Sequence, residues 1–272
     1  EESIGRMTIT CGDPEVGDFL KSGAVCGLKF KSRAGRSDQW LINSYEFMEL
    51  MRFLKMPLVK APEKWIPEWV WQGKREWAMH FIAGMWDGDG YVCDPKKKAI
   101  GYTSASKTLA SDLQLLLSNI GIVGRLTEHV TPPTDRVAVE SIQYRLTISG
   151  PDIAVFRDNI HLRISRKQRN LEDQAVGTFS RRDTIPHIRS LLMALYNEAF
   201  LKGIKVKKYD IIPYKSDVEP TYRSLRNILE LLSDLSDTTE YQDLAEIVSD
   251  GYYWDEITEI TSGECETFDF TI

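Results

Sequence analysis

Residues 81–92 read FIAGMWDGDGYV, and no other run restricts the chain's fold as tightly. Gly84 and Gly88 stand four residues apart, on one face of a helix, with Ala83 beside them. A glycine inside a helix costs about 1 kcal/mol relative to alanine, so such a face is tolerated where a second helix packs closely against it. Ala83, Gly84 and Gly88 are therefore read as a helix–helix interface. Asp87 and Asp89 fall at the C-terminal end of this helix, where the helix dipole disfavours negative charge and a cation relieves it. A metal ligand and an ordinary Asp-Gly helix cap both fit that spacing. A calcium loop does not, because it needs glycine at its sixth position and glutamate at its twelfth. Counting from Asp87, those positions hold Val92 and Lys98.

A second pattern is repetition. TITCGDPEVGDFLKSGAVCGL (8–28) and GYTSASKTLASDLQLLLSNIGI (101–122) both read as strand, N-cap, helix and glycine stop, with Thr10 matching Thr103 and Asp13 matching Ser106. Asp13 and Ser106 suit N-caps, Pro14 suits the first helical position, and Gly27 and Gly121 are read as the helix stops. The offset between the copies is 93 residues, which puts the counterpart of Asp89 upstream of Glu1. The expectation is a chain that lacks the first of two equivalent helices, and with it half of an active site.

Charge is divided by position. The formal net charge of the whole chain is −6, but residues 1–208 carry 31 Lys and Arg against 24 Asp and Glu, and residues 209–272 carry 3 against 16. A positive first part attracts a polyanion, and the acidic tail is repelled by one. Cys11, Cys26, Cys93 and Cys265 form no CxxC pair, so neither a zinc site nor a disulfide framework is indicated and an intracellular, cytoplasmic setting is expected. No apolar run reaches membrane-spanning length, so no membrane partner is expected.

After the glycine-rich helix, residues 91–92 and 99–104 read as strands around the CDPKKK turn, and 124–130 and 141–149 as two more around a TPPTDR loop. Residues 152–159 open a further helix. Along YRLTIS, Leu146 and Ile148 face a core, while Arg145, Thr147 and Ser149 face the other way and are candidate DNA contacts. Lys96, Lys97 and Lys98 are candidate phosphate contacts on a hairpin tip that also reads as a solvated turn.

Residues 82–90, IAGMWDGDG, resemble the signature of the LAGLIDADG homing endonucleases, and KWIPEWV (64–70) resembles the block that precedes the second signature helix in intein-borne members. The resemblance implies an α+β fold of αββαββα repeats with saddle-shaped antiparallel sheets, whose concave face lies along the DNA major groove. It makes Asp89, next to the last glycine, the catalytic metal ligand, with Gly88 beside it, and Mg2+ or another divalent metal the cofactor. Two metal ions about 4 Å apart stabilise the entering and leaving oxygens of a phosphodiester. Asp87 is read as a capping rather than a ligating residue. Many members place a lysine near the end of the last strand, where this chain has Thr147, Ser149 and Gly150. Lys107, Arg125, Arg145 and Lys167 are the candidates for that basic role, and Lys167 reads equally as part of an exposed basic helix face.

The tail completes the reading. Residues 184–200, 219–235 and 241–250 show helical periodicity, and 252–260 and 265–272 alternate as strands. WDEITEI with ETFDFTI resembles a strand pair near the C-terminus of inteins, in which Asp269 matches an acidic position with an assisting role. This implies the following organisation: the remainder of a first endonuclease half at 1–73, a second half at 74–175, a helical linker at 176–250, and the start of a β-rich splicing (Hint) domain at 251–272. The splicing nucleophile, the Thr-x-x-His block and the final His-Asn are absent, so this chain is not expected to splice. The implied parent is a double-stranded DNA endonuclease flanked by host exteins. Its second half-site is expected from the missing first half or from a second copy of the chain. The alternatives are a LAGLIDADG-derived DNA- or RNA-binding module that does not cut, and a degenerate intein insert.

Overall fold

A computed structural model describes residues 6–93, 99–133, 140–177, 184–212 and 219–252, with 254, 257, 260, 262 and 263. The chain divides into two compact units, Glu1–Ser180 and Arg181–Ile272.

The first unit contains the repeat. Strand β1 (Arg6–Thr10) leads into helix α1 (Pro14–Lys21), followed by β2 (Lys31–Arg33), β3 (Arg36–Asn43) and α2 (Tyr45–Phe53). The three strands are antiparallel in the order β1-β3-β2. After α3 (Glu68–Gln72) comes the signature helix α4 (Arg75–Gly88), then β4 (Gly90–Val92), β5 (Ile100–Ser104), α5 (Lys107–Ser118), β6 (Arg125–Thr131), β7 (Ser141–Ile148), α6 (Asp152–Asn159) and α7 (Ser165–Glu172). The second sheet is antiparallel in the order β4-β5-β7-β6. Placing β1 on β5 makes the two paths coincide: β1-β3-β2 repeats as β5-β7-β6, with α1 matching α5 and α2 matching α6. Among the described residues the first copy has no counterpart of α4 or β4.

Local chemistry explains the ends of the repeated helices. Ser106 accepts a hydrogen bond from the Leu109 N–H at 3.1 Å, and Pro14 opens α1 behind Asp13, which is an N-cap without a side-chain bond. The stop of α1 differs from the sequence reading. The helix ends at Lys21, and Gly23, at φ +82°, makes the turn, while Gly27 lies in the loop beyond. Gly121, at φ +84°, follows α5 as expected.

The core of the second copy lies between the sheet and helices α4, α5 and α6. Ile82, Trp86, Leu113, Leu117, Ile153 and Phe156 pack there against Ile100, Tyr102, Leu146 and Ile148. The first copy has a smaller core of Leu20, Phe30, Trp40, Ile42 and Phe47.

The second unit is helical over its described residues: α8 (Arg189–Leu201), α9 (Lys208–Ile211), α10 (Tyr222–Leu231) and α11 (Thr239–Asp250). Helix α8 starts later than its periodicity suggested, because Thr184 forms a bridge with Thr221 and Ile185 donates its N–H to the Pro220 carbonyl at 2.8 Å. Leu192, Leu195, Leu225, Leu229, Leu232 and Leu244 form its core. Past α11 the Tyr222 hydroxyl donates to the Tyr252 carbonyl at 2.7 Å and accepts from the Trp254 indole at 2.9 Å. Of the expected tail strand pair, Tyr252, Trp254, Ile257 and Ile260 are described and none of them is in a strand, whereas residues 265–272 with Asp269 lie outside the described residues, as do Lys96, Lys97 and Lys98. No helix among the described residues is long and apolar enough to cross a membrane.

Candidate active site

Helix α4 delivers Asp89 to the edge of the second sheet. Asp89 is the C-cap, its N–H donating to the Met85 carbonyl at 3.0 Å, and the side chain is exposed. The chain then turns sharply into β4. A Cβ on Gly90 would stand 2.6 Å from the Trp86 Cα, so only glycine lets the strand return this close to the helix. Asp89 lies close enough to the sheet to act on Tyr102, whose hydroxyl is pushed up to about 12 by burial and then by the Asp89 charge.

Lys167 holds this helix end. The sequence left it as a catalytic candidate or a solvated residue, and its side chain is instead buried. Its Nζ donates to the carbonyls of Trp86 at 2.7 Å, Asp87 at 2.9 Å and Gly90 at 2.8 Å, with that of Gly88 at 3.5 Å. The last carbonyls of a helix have no partner within it, and an ammonium group among them satisfies both their hydrogen bonding and the negative end of the dipole. Burial pushes the Lys167 amine below the usual lysine value, against the pull of Asp87 and Asp13.

Asp87 faces the other way. Its two carboxylate oxygens accept the N–H groups of Arg163 at 2.9 Å and Ile164 at 3.0 Å, just before α7. Glu15 of α1 accepts both the N–H and the hydroxyl of Ser165, at 2.7 and 2.9 Å. Arg166 pairs with Asp13 at 3.7 Å, and the Arg163 guanidinium lies 3.9 Å over the Phe19 ring. Helix α7 is thus tied to α1 and to the end of α4. None of this was legible beforehand, because the partners lie 76 to 153 residues apart and no local pattern links them.

The Glu15 contact sets a pH dependence. The Ser165 backbone N–H, then its hydroxyl, lower the Glu15 carboxyl from the ordinary 4.5, so the folded state binds its proton less readily than the unfolded chain. The stabilisation is complete above pH 4.5 and is lost as pH falls through the lowered value. A Glu15→Gln variant should lose that part of the acid transition, measured as the pH midpoint of unfolding by circular dichroism; an unchanged profile contradicts it.

The sheet face opposite the core is polar. Strand register places Tyr91, Gly101, Thr147 and Arg125 in one row and Thr103, Arg145 and Thr127 in the next. The Tyr91 and Thr147 hydroxyls are 3.4 Å apart across Gly101, whose missing side chain makes room for the phenol. Leu146 and Ile148 are buried and Arg145 is exposed, as the alternation required. Gln143, His129, Ser141 and Thr131 continue this face, so its strand residues include two arginines and no carboxylate. Ser149 follows the end of β7, and exposed Lys107 opens α5 just beyond β5.

The small residues of α4 fall into two groups. Ala83 is buried within the unit, but Gly84 and Gly88 are exposed, and a Cβ on either would meet nothing within 4 Å. Among the described residues no helix covers that face. Nor do the described residues contain a group of three His, Cys, Asp or Glu side chains able to hold a metal. The oxygen donor of Asp89 suits a hard divalent cation, but it is one carboxylate of a site that needs more.

Residues 76–161 match the family model described as LAGLIDADG-like domain. The chain is 27% identical over 234 residues to the probable translation initiation factor IF-2 of Thermococcus kodakarensis, covering 82% of this chain and 19% of that protein. It is 26% identical over 226 residues to DNA-directed RNA polymerase subunit Rpo1C of Methanocaldococcus jannaschii, covering 80% of this chain and 25% of that one. The chain thus spans about a fifth to a quarter of the length of these relatives. Among solved structures, mesophilic variants of the homing endonuclease I-DmoI share 18% identity at a TM-score of 0.40, covering 57% of this chain and 79% of theirs. I-DmoI in complex with DNA and Mn shares 16% at 0.39, covering 57% and 80%. Residues 76–161, about a third of the chain, are thus similar to the LAGLIDADG-like domain.

Proposed function

We propose that the chain is the larger part of an intein-borne endonuclease that hydrolyses double-stranded DNA at a specific site with a divalent metal. The observation that carries this reading is Asp89, exposed at the end of α4 beside a sheet face bearing arginines and no carboxylate. A divalent cation there would polarise a phosphate oxygen and lower the pKa of an attacking water. Asp89 supplies one carboxylate to hold it, and the second comes from the partner half, in the full polypeptide or in a second copy. The open Gly84 and Gly88 face suits that helical partner.

The register also ranks the basic candidates. Gly90, which follows Asp89, pairs with Tyr102, and the next pair along β5 and β7 is Thr103 with Arg145. Arg145 is two strands away, roughly 10 Å, within reach of a phosphate held between them. Arg125 stands one strand further out, in the adjoining row. Lys167 is bound to carbonyls, and its role is to hold Asp89 in place rather than to touch the phosphate. Thr147, Ser149 and the lysines at 96–98 are assigned to contacts along the groove.

The relatives support the insert reading. Similar segments occur in an initiation factor, an RNA polymerase subunit, a replicative helicase (DnaB) and an A-type ATP synthase subunit, as 19 to 25% of each. A segment shared by proteins with such different work is the pattern left by a mobile insert. Asp269 and the final strands belong, on this reading, to the returning splicing domain.

The test is cleavage of a randomised duplex library in Mg2+ by the full polypeptide, read by sequencing the cut ends. We expect one long target, and a loss of about a thousandfold in rate for Asp89→Asn. Unchanged cleavage in that variant overturns the assignment. Binding without cleavage by the unmodified protein instead favours a DNA-binding module, a reading that the lack of a strand-end lysine already favours.

A further inference from the structure

We infer that the loop joining α8 to α9 in the second unit is a further contact surface for the duplex DNA backbone. The inference rests on the reading above that this protein handles duplex DNA. The segment FLKGIKVKKY (200–209) sits where the charge of the chain changes sign: it holds four lysines and no acid, and residues 209–272 carry 3 basic against 16 acidic residues.

The loop is shaped by its own backbone. The Gly203 N–H donates to the Phe200 carbonyl at 3.1 Å and the Ile204 N–H to the Ala199 carbonyl at 2.9 Å, closing α8 through Gly203 at φ +73°. At the other end the Asp210 N–H donates to the Lys207 carbonyl at 3.0 Å. Between these anchors burial alternates. Ile204 and Val206 pack against the core of the unit, and Lys205 and Lys207 are exposed, followed by exposed Lys208.

Lys202 is committed to Asp237 at 3.2 Å, whereas Lys205, Lys207 and Lys208 make no ion pair among the described residues. Lys205 and Lys207 line a cleft of about 590 Å³ together with Tyr196, Phe200 and Asp210, and Lys208 follows them in the chain. Phe200 and Tyr209 are 73% and 65% exposed beside them. Three cations held on an ordered loop, with one carboxylate in the cleft, offer a polyanion a preformed docking edge. Binding there releases counterions without the cost of ordering the loop backbone. In a unit whose remaining surface is acidic, such an edge fixes which side turns towards DNA.

The test uses the full chain and a labelled duplex of arbitrary sequence, with affinity followed against salt concentration by fluorescence anisotropy. The variant Lys205→Gln/Lys207→Gln/Lys208→Gln should bind about tenfold more weakly at low salt. Its slope of log affinity against log salt should fall by about 2 to 3, since each phosphate contact contributes about 0.9. The corresponding arginine triple variant should restore both, and thermal midpoints should match throughout. Unchanged affinity and slope in the glutamine variant overturn the inference. If Arg125→Gln/Arg145→Gln weakens binding at the same time, the endonuclease reading stands. Failure of the unmodified chain to bind duplex overturns both.

Discussion

Replacing Lys167 with methionine should lower the unfolding free energy of the Glu1–Ser180 unit by about 3 kcal/mol, measured by urea denaturation. Methionine preserves most of the volume but removes an ammonium group bonded within 3 Å to the carbonyls of Trp86, Asp87 and Gly90. Those carbonyls then lose their partner at a site too enclosed for water to replace it fully, and a charged hydrogen bond contributes about 1.5–3 kcal/mol. Arginine should not rescue the loss, because its rigid planar fork cannot enter a cage shaped for a single nitrogen. The second consequence is local. Asp89 is the cap of the helix that Lys167 holds, so metal-dependent cleavage by the full polypeptide should fall in Lys167→Met while duplex affinity persists. Full stability in Lys167→Met contradicts the capping role.

Trp86→Ala should cost about 4 kcal/mol in the same measurement. Trp86 is fully buried, with ring centroids 4.8 Å from Phe156 and 5.7 Å from Tyr102, and it is the surface against which Gly90 turns. Alanine leaves a cavity walled by helices and a sheet, which cannot collapse into it without moving α4. Trp86→Phe should cost less than half as much. The indole N–H is buried with no acceptor among the described residues, so losing it removes an unmet polar group along with some packing. A Phe variant as damaged as the Ala variant contradicts this account.

How much of this was readable in the linear chain depends on the range of the interaction. Helix α6 was placed at its observed bounds, and strands β4 to β7 within a residue or two, because alternation and helical spacing report burial directly. The repeat was also legible. Its N-caps Asp13 and Ser106 stand where the aligned copies put them, and sheet order repeats from one copy to the other. The stop of α1 was assigned to Gly27 rather than Gly23, since both glycines satisfy the same local rule and only the path of the following loop separates them.

For the candidate site, the sequence by itself determined that an acid follows a glycine-bearing helix, that Leu146 and Ile148 face inward, and that basic charge ends near residue 208. Each is a property of neighbouring residues and a fixed period. Only the tertiary structure decided what surrounds that acid. It turned Lys167 from a candidate for the phosphate into the clamp on α4, gave both oxygens of Asp87 to the start of α7, and set Arg145 beside Thr103 on the polar face of the sheet. The physical reason is distance along the chain. A buried ammonium and the carbonyls it satisfies lie about 80 residues apart, and nothing in the local pattern of either segment specifies the other.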